Sequence, residues 1–324
     1  MKDSRLQNST ELAITQSTDI ERLQTNAVDY ARRSRTESTL RAYASDWNHF
    51  SAFCFAHGLD SLPCIPNTVA AYIADLAETH RPSTIQRRLA SIATAHRAAG
   101  HESPTKSELV RSTLLGVKRS KGTGKRQVLP VRVRHIREGI ALMRSDLKGI
   151  RDRAILLVGY AGALRRSEVV VLDVEDLSFV EEGLVLSLRT SKTDRISEGV
   201  KIAIQRGSRA DTCPVSALRT WLEASGITSG AVFRPIAKGG RVQGPRLTDQ
   251  VVCQVLKQFG RLVGLDDSLV GGHSCRAGLI TDAFSVGAAQ AVIAKHSRHR
   301  SNSINDYLRE ATMFDQNVSG MVGL

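Results

Sequence analysis

The segment GGHSCRAG, residues 271–278, sets His273 and Arg276 three positions apart with Cys275 between them. In a helix that starts after the paired glycines, with Ser274 at its beginning, these two side chains share a face. The unpaired backbone N–H groups of a helix start already favour an anion. Taken alone, the spacing also admits a metal site, a redox site or an ordinary helix start.

Other cations sharpen the choice. In ALRRSEVVVL (163–172), Arg165, Arg166 and Glu168 follow the apolar run AILLVGYAGAL. An Arg pair on a helix is commonly a solvated face. Where a buried helix gives way to another, however, a half-sunk Arg can turn its fork to a phosphate while Glu168 holds the guanidinium. Lys192, in TSKTD, lies between two apolar alternating runs. At such a loop tip an ammonium is either merely exposed or able to deliver a proton. The stretch IAKHSRHRSNSINDYLRE (293–310) packs cations ahead of Tyr307, one of five tyrosines, which is either a packing residue or a nucleophile. No GxGxxG, Walker A, GxSxG or HExxH occurs. His296 and His299 form an HxxH, but no acid or Cys at ligand-like spacing accompanies them, which disfavours zinc. Many fixed positive donors, one hydroxyl nucleophile and no metal carboxylates suit a phosphodiester transesterification without metal or other cofactor.

The elements that must hold these residues divide the chain. Residues 1–32 read as a flexible or partly helical lead-in. Ser34 and Glu37 could form a capping box. Leu40, Tyr43, Trp47, Phe50 and Cys54 then recur at steps of three and four, one apolar helical face ended by Gly58. Val69, Tyr72, Ile73 and Leu76 line a second helix introduced by Pro66; Ile85, Leu89 and Ile92 line a third; a fourth covers about 105–118. The fold class expected is mostly α: an all-α domain over 33–118, an exposed basic linker over 119–132, and a mixed, mainly helical domain with a small antiparallel sheet over 133–324. In that second domain, 133–172 reads helical and 183–204 reads as a β-hairpin with a long loop. Further helices are expected near 214–225, 248–263, 274–286, 288–297 and 302–310.

Of 324 residues, 41% are hydrophobic and the net charge is +13. Residues 1–30 hold three Lys/Arg against five Asp/Glu, whereas residues 31–132 hold sixteen against seven. A basic first domain joined to a basic second one fits a polyanion, and nucleic acid leads over a merely soluble basic surface. Arg41, Arg87 and Arg88 on the helices, and Lys118, Arg119, Lys121, Lys125 and Arg126 in the basic stretch KRSKGTGKRQVLPVR, are the candidate phosphate contacts. The five cysteines are scattered without a CxxC pair, against a disulfide framework or zinc ribbon. No eighteen-residue apolar run and no signal-like N-terminus occur, so a soluble, cytoplasmic protein without a membrane partner is expected, and the nucleic-acid reading of its charge puts it at the nucleoid.

The ordered set resembles the tyrosine recombinase (phage integrase) family over about 33–310. STLRAYASDWNHFSAFC is similar to the first helix of that family's core-binding domain. ALRRSEVVVL resembles the segment of its first catalytic Arg and following Glu, pointing to Arg165 over Arg166. RTSKTD resembles its hairpin Lys segment (Lys192), GHSCRAG its HxxR box (His273, Arg276) and NDYLRE its nucleophile segment (Tyr307). The family usually places His or Trp nine residues before the Tyr. Here that position is Arg298, while His299 stands eight and His296 eleven before Tyr307. The local context RHRS is similar to that around the family's His and favours His299. The resemblance implies a site-specific recombinase or integrase acting on duplex DNA at specific recombination sites, as a homo-tetramer on two sites, through a 3′-phosphotyrosyl intermediate, without metal or ATP. A non-catalytic basic DNA-binding protein and a related tyrosine-dependent topoisomerase or resolvase are the competing readings.

Overall fold

The computed structural model describes residues 19, 20, 22–30, 35–124, 128–188, 199–299 and 304. The chain divides into two compact units, residues 1–125 and 126–324. Among the described residues, no helix is long and apolar enough to cross a membrane.

Among the described residues, the first unit packs α1 (Glu37–Ala56), α2 (Pro66–Thr79), α3 (Pro82–Ala98) and α4 (Glu108–Lys121), and residues 22–30 are also helical. Thr36, rather than Ser34, caps α1, its hydroxyl accepting the Thr39 N–H at 3.3 Å. Proline supplies the first residue of α2 and of α3, where its missing N–H costs nothing. α4 starts three residues later than the periodicity suggests, after a 3-10 turn at Pro104–Lys106 and a Ser107 cap, and runs on to Lys121. The core gathers Phe50, Cys54, Val69, Tyr72, Ile73, Leu76, Ile85, Leu89, Ile92 and Val110. Periodicity misses one member of the interior. Asp46 on α1 is 3% exposed and is paired with Arg87 and Arg88 of α3. A buried carboxylate survives only with such partners.

The second unit holds α5 (Val133–Gly139), α6 (Leu147–Ala161), α7 (Arg166–Val171), strands β1 (Leu177–Phe179), β2 (Gly183–Leu188) and β3 (Val200–Gln205), then α8 (Pro214–Ser225), α9 (Asp249–Leu262), α10 (Ser274–Ser285) and α11 (Gln290–Ser297). The sheet is antiparallel in the order β1-β2-β3. The hairpin is therefore joined by a third strand, too short at three residues for its alternation to stand out. Leu184 faces Ile204 and Leu186 faces Ile202 in the register, so one face of the sheet is apolar. That face meets α6 and α8 over Trp221, whose indole N–H donates to the Val232 carbonyl at 2.8 Å.

The expected linker over 119–132 needs correction. Residues 119–121 belong to α4. Leu129 and Val131 donate backbone N–H groups to Leu269 and Ser274, and Val131 is fully buried. Residues 128–132 are thus a packed part of the second unit, not an exposed tether. Gly278 makes that approach possible: a Cβ there would sit 1.8 Å from the Val131 carbonyl oxygen.

Candidate active site

α6 buries Ala154, Ile155, Leu156, Leu157 and Val158, which fixes its C-terminal end inside the second unit. Two residues beyond its last turn, Ala163 adopts φ +46° while fully buried. An alanine in the left-handed region is strained by about 1–2 kcal/mol, and here the turn aims the Ala163 carbonyl inward. Arg165 follows as the N-cap of α7. Its Nη1 donates to Glu168 Oε1 at 2.5 Å and its backbone N–H to Glu168 Oε2 at 2.9 Å. Arg166 points away, exposed and paired with Asp249 at 3.1 Å.

α10 brings the second cation. His273 is its N-cap and exposed; Arg276, three residues on, is 1% exposed. Arg276 Nη1 donates to the Ala163 carbonyl at 3.0 Å, and Nη2 lies 3.3 Å from His299 Nδ1. The glycine before His273 has a steric reason, since a Cβ on Gly272 would lie 2.6 Å from Arg166 Cδ. Cys275 is buried, its thiol 3.9 Å from the Leu156 carbonyl, and burial pushes it up to about 12. It is a packing residue. Asp282 holds the other end of α10, accepting from Tyr160 Oη at 2.5 Å, from the Val133 N–H at 2.6 Å and from Arg132. Burial and the neighbouring Asp282 carboxylate raise Tyr160 far above an ordinary phenol.

The end of α11 separates the three candidates before Tyr307. His296 turns its Nε2 to the Ala161 carbonyl at 2.8 Å. Arg298, left-handed at φ 59°, is buried against Gly162, Ala163 and Glu168. The His299 ring meets the Arg276 guanidinium, and its Nδ1 lies 2.8 Å from Ser297 Oγ. Burial first, then the charges of Arg276, Arg165, Arg298 and His273, push His299 down to about 4. Glu168 shows the opposite balance. Burial alone would raise its carboxyl, but Arg298 and the N–H and guanidinium of Arg165 hold it below the usual value.

The structure therefore brings Arg165, Glu168, Arg276 and His299 into one cluster, with His273 within electrostatic reach. One carboxylate against several cations leaves a site short of negative charge, able to take an oxyanion. Lys192 and Tyr307 lie outside the described residues, as do Lys125 and Arg126. Ile304, three positions before Tyr307, is buried with Ile280 and Ile293.

Sequence reasoning missed the roles of Arg298 and Ala163; only the positive φ at each, invisible in sequence, marks them. On the first unit, Arg41, Arg119 and Lys121 are exposed and Lys118 half-buried. Arg88 is 12% exposed and turned inward, donating to Tyr72 Oη at 3.0 Å; it is a packing residue of that unit. Arg87 is 44% exposed but paired with Asp46.

Comparison with known proteins bears on the family and the fold. Residues 133–312 match the model of the phage integrase family. An integrase/recombinase xerD homolog of Selenomonas ruminantium is 34% identical, the match covering 98% of this chain and 92% of that protein. Among solved structures, a lambda integrase dimer bound to a COC′ core site superposes with a TM-score of 0.58 at 17% identity, covering 88% of this chain and 93% of that one. The XerH site-specific recombinase bound to palindromic difH, a post-cleavage complex, gives 0.57 at 16% identity, covering 80% and 72%. At these identities the structural likeness establishes the fold.

Proposed function

This chain belongs to the phage integrase family of tyrosine site-specific recombinases, and from that premise we propose that it cuts and rejoins duplex DNA through a covalent bond to Tyr307. The observation that carries the reading is the convergence of Arg165, Arg276 and His299 from three separate elements on one spot.

Tyr307 Oη attacks the scissile phosphorus; the Tyr O–P bond forms as the bond to the 5′-oxygen breaks. An unperturbed Tyr has a pKa of about 10, so its proton must leave in the transition state. His273 is the base that takes it. Lys192 supplies the proton that the departing 5′-oxygen needs. Arg165, Arg276 and His299 bind the non-bridging oxygens, and their hydrogen bonds strengthen as charge builds there. Rejoining is the same step reversed, by the 5′-hydroxyl of another strand. The phosphodiester's energy is kept in the phosphotyrosyl bond, so neither ATP nor metal takes part.

The first unit supplies a phosphate-binding surface. A cleft of about 590 Å³ at the start of α3 is lined by His80, Arg81, Ser83, Lys118 and Lys121, where the helix N-terminus adds its own attraction for an anion. Arg41 and Arg119, both exposed, are further phosphate contacts of that unit; Arg88, turned inward to Tyr72, is not. Four protomers on two recombination sites, in the cytoplasm at the nucleoid, complete the proposal.

The test is covalent capture. Protein mixed with fragmented DNA of its source genome, then denatured in SDS, should retain one sequence, with or without EDTA. A Tyr307→Phe variant that retained it equally, or EDTA abolishing it, would overturn the mechanism.

A further inference from the structure

Arg298 is a buried cation of this cluster that the reaction scheme does not use. It ends α11 in the left-handed region, φ 59° and ψ 38°, a place where glycine is the ordinary occupant. Its side chain is 6% exposed. Nη1 donates to the carbonyls of Gly162 at 3.1 Å and His296 at 3.0 Å; Nη2 donates to Ala163 at 3.0 Å and Glu168 Oε2 at 2.8 Å. Backbone strain at the residue and a desolvated charge both weigh against the arrangement. Among the described residues, its Nε is buried without a partner.

Two of these four acceptors, the Ala163 carbonyl and Glu168, are also the groups that hold Arg276 and Arg165. Glu168 divides its oxygens, Oε1 taking Arg165 Nη1 and Oε2 taking Arg298 Nη2 and the Arg165 N–H. The Ala163 carbonyl is likewise shared, by Arg276 Nη1 and Arg298 Nη2, each at 3.0 Å. Ala163 is itself held at φ +46°. A single guanidinium thus fixes both the carboxylate that orients Arg165 and the carbonyl that orients Arg276.

From this we infer that Arg298 is a positioning residue for phosphoryl transfer: it locks the Arg165 and Arg276 forks onto one phosphate through Glu168 and Ala163, without touching the phosphate itself. The planar fork explains why arginine serves here, since four acceptors in two directions exceed what one ammonium can meet with the same geometry. The inference rests on the recombinase reading for its consequence, not for its contacts.

The first variant is Arg298→Gly, which removes the guanidinium while suiting the left-handed backbone, so that the fold is protected. Cleavage at saturating DNA, measured per active site in a single turnover, should fall about 10- to 100-fold, as expected when reacting groups lose alignment by a fraction of an ångström to an ångström. DNA affinity should stay within about threefold, because the lost group contacts no phosphate. The double variant Glu168→Gln/Arg298→Gly should be no slower than the slower single variant, since the two residues act as one device. A merely structural Arg298 would lower the folded fraction but leave the rate per active site unchanged, and that result overturns the inference. So does an equal loss of affinity and rate.

If Arg298→Gly does not fold, Arg298→Lys decides: slower cleavage at unchanged affinity supports the role, and the wild-type rate overturns it. Wild-type protein runs in parallel. Should it form no covalent complex, the recombinase reading fails by itself. Calorimetric binding of sulfate, which keeps its charge across neutral pH, then judges Arg298: about tenfold weaker in Arg298→Gly supports it, equal affinity overturns it.

Discussion

Replacing Arg165 by Lys keeps the charge and removes the fork, which isolates geometry from electrostatics. In the folded protein Arg165 is 14% exposed and already gives Nη1 to Glu168 at 2.5 Å. Its remaining donors are what a phosphate can use. A lysine ammonium that satisfies Glu168 at the same distance sits on a different axis and offers no parallel pair of N–H groups. Loss of one pre-aimed oxyanion donor costs about 2.7–4 kcal/mol in the transition state, a fall of about 10²- to 10³-fold in the cleavage step. Ground-state binding should hardly change. The charge persists, and one phosphate contact among many contributes a small share of affinity. The assay is single-turnover cleavage of a nicked duplex at saturating protein, beside equilibrium binding of the same duplex and the melting temperature of the variant. A melting temperature near wild type, affinity within about threefold and a rate lower by at least about 100-fold are expected. Equal losses in rate and affinity would demote Arg165 to a general phosphate contact and refute the reasoning.

Three further outcomes follow from the packing. His299→Ala should slow cleavage by about 10²- to 10³-fold by removing an oxyanion partner, whereas His296→Ala removes a bond to the Ala161 carbonyl and should act on melting temperature instead. His299 also gives the fold an acid slope. Burial and the surrounding cations hold it at about 4, against 6.5 for an ordinary imidazole, so the unfolded chain binds its proton first, and stability should fall as pH drops from 6.5 towards 4, less so in His299→Ala. Gly278→Ala should lower stability by about 1–3 kcal/mol in urea unfolding, because its Cβ would meet the Val131 carbonyl.

Much of this site is local in sequence and was legible there. His273 and Arg276 sit on one helix start, Arg165 and Glu168 on one short turn, and each pair is fixed by three residues of spacing. What the sequence hid depends on contacts made over long separations. Arg298 reaches Glu168 across 130 positions, and no spacing rule marks a residue that packs in the left-handed region. Asp46 breaks the apolar face of α1 because its partners lie on α3. Arg88 looked like a surface cation for the same reason: periodicity gives the side of a helix, not the carboxylate waiting on the next one. The stretch 128–132 reads as a tether by composition, yet Val131 is buried because Gly278 leaves room for its carbonyl. Lys192 and Tyr307 lie outside the described residues.

The central claim is that one tyrosine carries the DNA, and mass spectrometry of the captured complex tests it most directly. Nuclease trimming and trypsin should yield the peptide SNSINDYLR, residues 301–309, bearing a nucleotide remnant on Tyr307. A remnant on Ser301, Ser303 or any other residue, or an unmodified peptide from a complex that is covalent, contradicts the account.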